Sequence, residues 1–202
     1  MSRINSVLVI FCLSFSSFSQ DVDSTSKRKP SFGFNIGANY SALYNSNANS
    51  ELQITNAPGF RLGVFADFPI SKQWSIMPKS EISFNYSNII DNNVKYRVDP
   101  YNLNFMTHFK YYFKGYNNIA RPYITFGPNL RTPLQGSFQG TTYDTKLALN
   151  MDFAFGVQIE AKHFLISPEL RFSGGLTDIR RNPEGKMLRG SNASLIINFS
   201  SK

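Results

Sequence analysis

One cysteine and two histidines stand in a chain of 202 residues. The cysteine, Cys12, lies inside an N-terminal apolar run, and none follows it. Disulfides, cysteine-ligated zinc and cysteine nucleophiles are therefore excluded from the rest of the chain. Charge is scarce as well, at 17% of residues against about 25% in ordinary soluble domains. No apolar run approaches the roughly 20 residues that a transmembrane helix needs. Mean hydropathy is −0.25, which excludes a helical membrane bundle. Glycines do not form a phosphate-binding loop, because Gly33 and Gly37 are spaced by strand alternation and open no helix. No His/Asp/Glu group has metal-ligand spacing, so neither metal nor cofactor is expected.

Aromatic residues, by contrast, are plentiful at 15%. A low charge content, many aromatics and a modest hydropathy are reconciled if only every second residue faces an apolar medium. The formal charge of +8 is spread along the chain. Its only dense groups are Lys27–Lys29 and the stretch holding Arg180, Arg181, Lys186 and Arg189. A folded basic footprint for nucleic acid is missing, so no nucleic-acid partner is expected.

The N-terminus reads as an export address. Arg3 is followed by the apolar segment Val7 to Leu13, and Ser17 and Ser19 place small residues before Gln20. These are the parts of a cleaved secretory signal. Phe11 precedes Cys12, where lipidation would need a small residue. The expected organisation is a signal peptide at 1–19, a periplasmic tether at 20–30 and one β-domain at 31–202.

From Ser31 onward one unit recurs: strict alternation, then a polar break. Leu147, Leu149, Met151, Phe153, Phe155, Val157 and Ile159 alternate with Ala148, Asn150, Asp152, Ala154, Gly156 and Gln158. Period two is the signature of a strand with two unlike faces. The pattern repeats from Phe32, Phe60, Trp74, Tyr101, Ile124, Phe164 and Ala193, which makes about eight strands. The breaks at 69–73, 114–121 and 160–163 are short. Those at 42–57, 88–97, 132–145 and 177–190 are longer and rich in Asn, Ser, Gly and Thr. Short periplasmic turns alternating with long external loops, on an even strand count, are the plan of an outer-membrane barrel with both termini in the periplasm.

The fold expected is therefore all-β: an eight-stranded antiparallel up-and-down transmembrane barrel behind an N-terminal signal peptide, located in the cell outer membrane. Its expected surroundings are outer-membrane lipid and lipopolysaccharide. A secreted lipocalin-like barrel also alternates, with apolar residues lining a ligand cavity. Two features argue against it. The apolar face is almost free of charge, as hydrocarbon demands, since a cation at midplane costs about 2–4 kcal/mol. The polar face is rich in Gly, Asn and Ser, small residues that make room for long ones inside a narrow barrel.

Two sets of residues follow from the strand parity. Arg61, Asp67, Lys79, Glu81, Lys110, Arg131, Asp152, Glu169 and Arg171 point inward. In a bore just wide enough for side chains to fill, such charges must pair. The expected core of the network is Glu81 and Glu169 with Lys79, Lys110 and Arg171, closing the bore. Aromatics near strand ends predict two girdles at headgroup level. These are Trp74, Tyr111, Tyr112, Tyr116 and Tyr123 on the periplasmic side, and Tyr40, Tyr86 and Tyr101 on the outer side. Pro78, Pro128 and Pro168 fall near mid-strand, where a bulge is expected to accommodate each. No catalytic residue is expected. His108 with Glu81 and Ser83 is the one conceivable hydrolytic set, and it would be buried in the bore, away from lipid esters.

The segment Gly59 to Asp67, a turn, then Trp74-Ser-Ile-Met-Pro78-Lys-Ser-Glu81 resembles the outer-membrane β-barrel domain common in bacteria with type IX secretion. That domain shows a G-x-x-x-G-x-x-x-(D/E) strand followed by a strand with a Pro-Glu pair. Here Pro78 and Glu81 are separated, whereas Pro168 and Glu169 are adjacent. Arg121-Pro122-Tyr123-Ile-Thr-Phe-Gly127 and Phe164 to Leu176 are similar to the PorT group of that family. The resemblance implies a non-enzymatic accessory component of protein secretion and gliding, with other secretion-machine components as partners and no active-site residue. An independent structural or adhesive barrel is the alternative.

Overall fold

The computed structural model describes residues 28–45, 53–85, 88–91, 94–97, 101–113, 119–134, 146–179 and 188–202. The signal-peptide segment 1–19, most of the tether, Tyr86 and Tyr116 lie outside these residues. Among the described residues, eleven strands follow in chain order. Eight are long: β1 (Ser31–Asn45), β3 (Ala57–Pro69), β4 (Trp74–Phe84), β7 (Tyr101–Tyr112), β8 (Ala120–Pro133), β9 (Ala148–Glu160), β10 (Phe164–Gly175) and β11 (Leu188–Ser201). They form a closed antiparallel barrel in which chain neighbours pair and β1 closes on β11. Closure leaves none of these strands with an unpaired edge, the condition for placing sheet in hydrocarbon.

Alternation decides which face each residue meets. Phe32, Phe34, Ile36, Val64, Phe105, Phe153, Phe155, Leu195 and other large apolar side chains are exposed on the outer surface. Arg61, Lys79, Glu81, Asp152, Glu169 and Arg171 are buried. A lipocalin has the reverse arrangement, so that alternative falls.

Polar breaks and strands differ in two places from the expectation. The breaks at 42–57 and 88–97 contain β2 (Gln53–Thr55), β5 (Asn88–Asp91) and β6 (Val94–Arg97), which form a second, three-stranded sheet ordered β2-β5-β6. Ile54, Ile89, Ile90, Val94 and Tyr96 supply the β-branched and aromatic residues that favour extended backbone. The strands at the outer rim also run further than their apolar patterns, to Asn45 and Pro133 and from Leu188. Backbone pairing continues there beyond the alternating pattern.

The prolines are accommodated without bulges. Between β3 and β4 the register passes from Phe65↔Lys79 to Phe68↔Ile76, with unchanged offset and a lapse beside Pro78. The same lapse occurs beside Pro128 between β7 and β8, and beside Pro168 between β9 and β10. Pairing on the other side of each proline is continuous. Each proline therefore omits one N–H from the ladder and inserts no extra residue. Replacing Pro78 by valine restores that donor. The variant is expected to gain about 1 kcal/mol, read as a higher urea midpoint for the gel-mobility shift between folded and unfolded barrel. An unchanged or lower midpoint would show that the ladder cannot close there.

Candidate functional site: the filled bore

Strand parity aims nine charged side chains inward, and the described bore holds five cations and four carboxylates, all buried. Their partners are set by register. At its centre Arg171 on β10 bridges two glutamates. Its Nη1 donates to both carboxylate oxygens of Glu81, at 2.9 and 3.0 Å. Its Nη2 and Nε donate to Glu169 Oε1, at 2.8 and 3.1 Å. Arg61 adds a contact to Glu81 at 3.3 Å, and Lys79 one to Glu169 at 3.4 Å. Neutral groups complete the shell. Asn35 donates to Glu81 at 3.0 Å, Tyr123 donates to Glu169 at 3.0 Å, and Lys79 donates to Asn198 at 3.3 Å. Planar, bidentate guanidinium contacts suit such an enclosed carboxylate pair.

Lys110 does not join this cluster. It donates to Asp67 at 3.1 Å, where Tyr112 also reaches Asp67 at 3.4 Å and contacts Gln158. The reason is position along β7. Glu81 lies opposite Asn104, and Lys110 is about 20 Å further toward the periplasm at 3.4 Å per residue. Below this pair Arg28, at the end of the tether, donates to the carbonyl oxygens of Ser71 and Trp74 at 2.8 and 3.2 Å. Its guanidinium sits 4.5 Å from the centre of the Tyr112 ring. Arg28 thus lies at the rim of the bore beside Tyr112. Arg131 is buried toward the outer rim, opposite Asn104 and Ala148. Beyond it the bore becomes neutral, with Asn39, Ser41, Asn85 and Asn192 bonded to one another.

His108 is buried beside Asp152, with Nε2 3.1 Å from Oδ2. Asp152 also accepts from Ser173 and from Asn129. Ser83 accepts instead from Asn104 at 3.0 Å. A nucleophilic triad needs the imidazole between the hydroxyl and the carboxylate. Here Asp152 stands between His108 and Ser173, and the imidazole bonds to neither Ser173 nor Ser83. The arrangement compensates charge.

Among the girdle residues, Tyr40, Trp74, Tyr101 and Tyr111 lie on the outer surface. Trp74 packs 4.8 Å from Tyr111, and Tyr101 meets Phe84 at 5.6 Å. Tyr123 is a correction: it is 1% exposed and points into the bore. Tyr112 is buried likewise. The parity signal was present in the sequence, since Ile124 and Phe126 face out, and so do Tyr111 and Phe113. Room for the Tyr123 ring comes from Gly156, where a Cβ would stand 2.6 Å from the phenol oxygen. Gly33 makes the same room for the inward ring of Phe65, at 2.6 Å.

This architecture has known counterparts. The neisserial surface protein A structure superposes with a TM-score of 0.54 at 12% identity, covering 85% of this chain and 98% of that one. The outer membrane protein OprG from Pseudomonas aeruginosa superposes with a TM-score of 0.57 at 11% identity, covering 89% and 98%. Identities this low speak for the fold alone. No protein of curated function matches the sequence. The family model for the outer membrane protein beta-barrel domain matches residues 18–181. A closed barrel with apolar residues outward and charge inward, matched by that model over most of its length, belongs to the outer membrane protein beta-barrel domain family and resides in the outer membrane.

Proposed function

We propose that this chain is a non-enzymatic, sealed scaffold of the outer membrane that serves protein secretion as an accessory component, in the manner of PorT-like proteins of type IX secretion and gliding. The observation that carries the reading is the bore. Arg171, Glu81 and Glu169, each at most 1% exposed, meet across it. A barrel so filled has no conduit of its own, and its contribution to export runs through its surfaces. The strand motifs around Gly59–Glu81 and Phe164–Leu176 support the assignment to secretion. Outer-membrane lipid and lipopolysaccharide surround it, and other secretion components contact its rims.

A clean deletion strain should accumulate secreted cargo in the periplasm, and the purified barrel should give no large, steady single-channel currents in planar bilayers. Normal secretion by the deletion strain would overturn the accessory role. Steady currents would overturn the seal. A second reading, an adhesive or structural barrel, is favoured by the small β2-β5-β6 sheet within the outer connections. On that reading, trimming 53–55 and 88–97 abolishes surface binding and leaves export intact.

A further inference from the structure

The lipid-facing wall is uneven. Beside Pro168 the β9–β10 ladder lapses over Val157 and Gln158, opposite Ser167 and Pro168. A groove of about 520 Å³ opens there on the outer surface. Ile124, Phe155, Val157 and Leu170 wall it. Its floor is the backbone at Gly156, with the inward-pointing Tyr123 and Glu169 behind. By strand parity the groove faces hydrocarbon. An unfilled trough forfeits the dispersion contacts of every atom lining it.

The periplasmic end of this wall is rich in basic side chains. Val157 lies about 10 Å above the end of β9 at Glu160, at 3.4 Å per residue. The turn that joins β9 to β10 presents Lys162 and His163, both exposed. Glu160, the carboxylate beside this turn, is engaged by Lys202 at 2.6 Å. An apolar trough with a cation at headgroup level matches an amphiphile with a hydrocarbon tail and an anionic head. We propose that this groove holds one acyl chain of an anionic phospholipid of the periplasmic leaflet, with its phosphate on Lys162. The turn between β3 and β4 offers a comparison. Lys72 there sits below Trp74, whose ring packs on Tyr111 and near Phe126, so a ridge replaces the trough.

The full barrel, reconstituted in phosphatidylglycerol vesicles with a trace of phosphatidylglycerol bearing a mid-chain diazirine, tests this. After irradiation the label is mapped by peptide mass spectrometry. Labelling of 155–157 and 168–170 should exceed that at Phe34 and Val64, on the opposite wall, several-fold. Lys162→Glu and the groove-filling Val157→Trp should each remove most of the excess, and Lys72→Glu should not. Even labelling around the barrel would overturn the groove. An excess lost in Val157→Trp but kept in Lys162→Glu would overturn the phosphate contact. An excess lost equally in Lys72→Glu would reduce the effect to general surface charge and overturn the site.

Discussion

Arg171→Ala is expected to destabilise the folded barrel by about 3–5 kcal/mol, the cost of removing one partner from a buried ion pair. The side chain is fully buried and makes four charge-assisted contacts to two carboxylates. Arg61 and Lys79 remain near Glu81 and Glu169, but each reaches its glutamate through a single longer contact, at 3.3 and 3.4 Å. A loss of this size is a large fraction of the roughly 5–15 kcal/mol that holds a domain folded. It should appear as a much lower urea midpoint for the folded form on a mobility gel. A cavity left by a large side chain would also destabilise, so the sign of coupling separates the two causes. Glu169→Gln should cost less in the Arg171→Ala background than alone, because its strongest partner is already gone, with a coupling of about 0.5–3 kcal/mol. Strictly additive losses would mean that Arg171 acts by volume and not by charge.

Phe153→Arg should impair membrane insertion by about 2–4 kcal/mol, the cost of a cation on the lipid face at midplane. Phe153 lies near the middle of β9, between Phe126 and Phe172 on its neighbours, and is 49% exposed. In water that exposure would make arginine harmless or helpful. In hydrocarbon no group is there to solvate it. Ile159→Arg, near the end of the same strand, should cost only about 0–1 kcal/mol, because the side chain can reach the interface. The measurement is the fraction of protein folded into preformed vesicles across a urea series. Equal losses at 153 and 159 would mean that depth does not matter and that the outer face does not meet a bilayer.

These two expectations differ in how early they were legible. The outward set on β9 follows from the spacing of Leu149, Met151, Phe153 and Phe155 alone, and so does the inward aim of Asp152. Parity is local, and a two-residue period survives any register. The same logic covers Tyr123 and Tyr112, where position near a strand end suggested a girdle but parity with Ile124 and Tyr111 points inward. There the two signals disagreed, and in a continuous strand the pleat overrides a preference for the interface.

Which charge meets which was not legible. Arg171 and Glu81 are far apart in sequence and come from β10 and β4, strands that do not pair. Their meeting depends on strand stagger and tilt around a closed sheet, which no single segment encodes. For that reason parity alone does not reveal that Lys110 serves Asp67 and not the glutamates, or that His108 meets Asp152 and not Glu81. The prolines have the same origin. Pro78, Pro128 and Pro168 mark breaks in the ladder, but only the register on both sides reveals a missing bond and not an inserted residue.

The sequence by itself determined that this chain is a closed, eight-stranded membrane barrel with charge inside, because alternation and loop length are properties of neighbouring residues. The tertiary structure decided that the charges meet in a network centred on Arg171, that Tyr123 belongs to it, and that one part of the wall is grooved. Those features join strands across the bore or around it, and their geometry exists only once the sheet has closed.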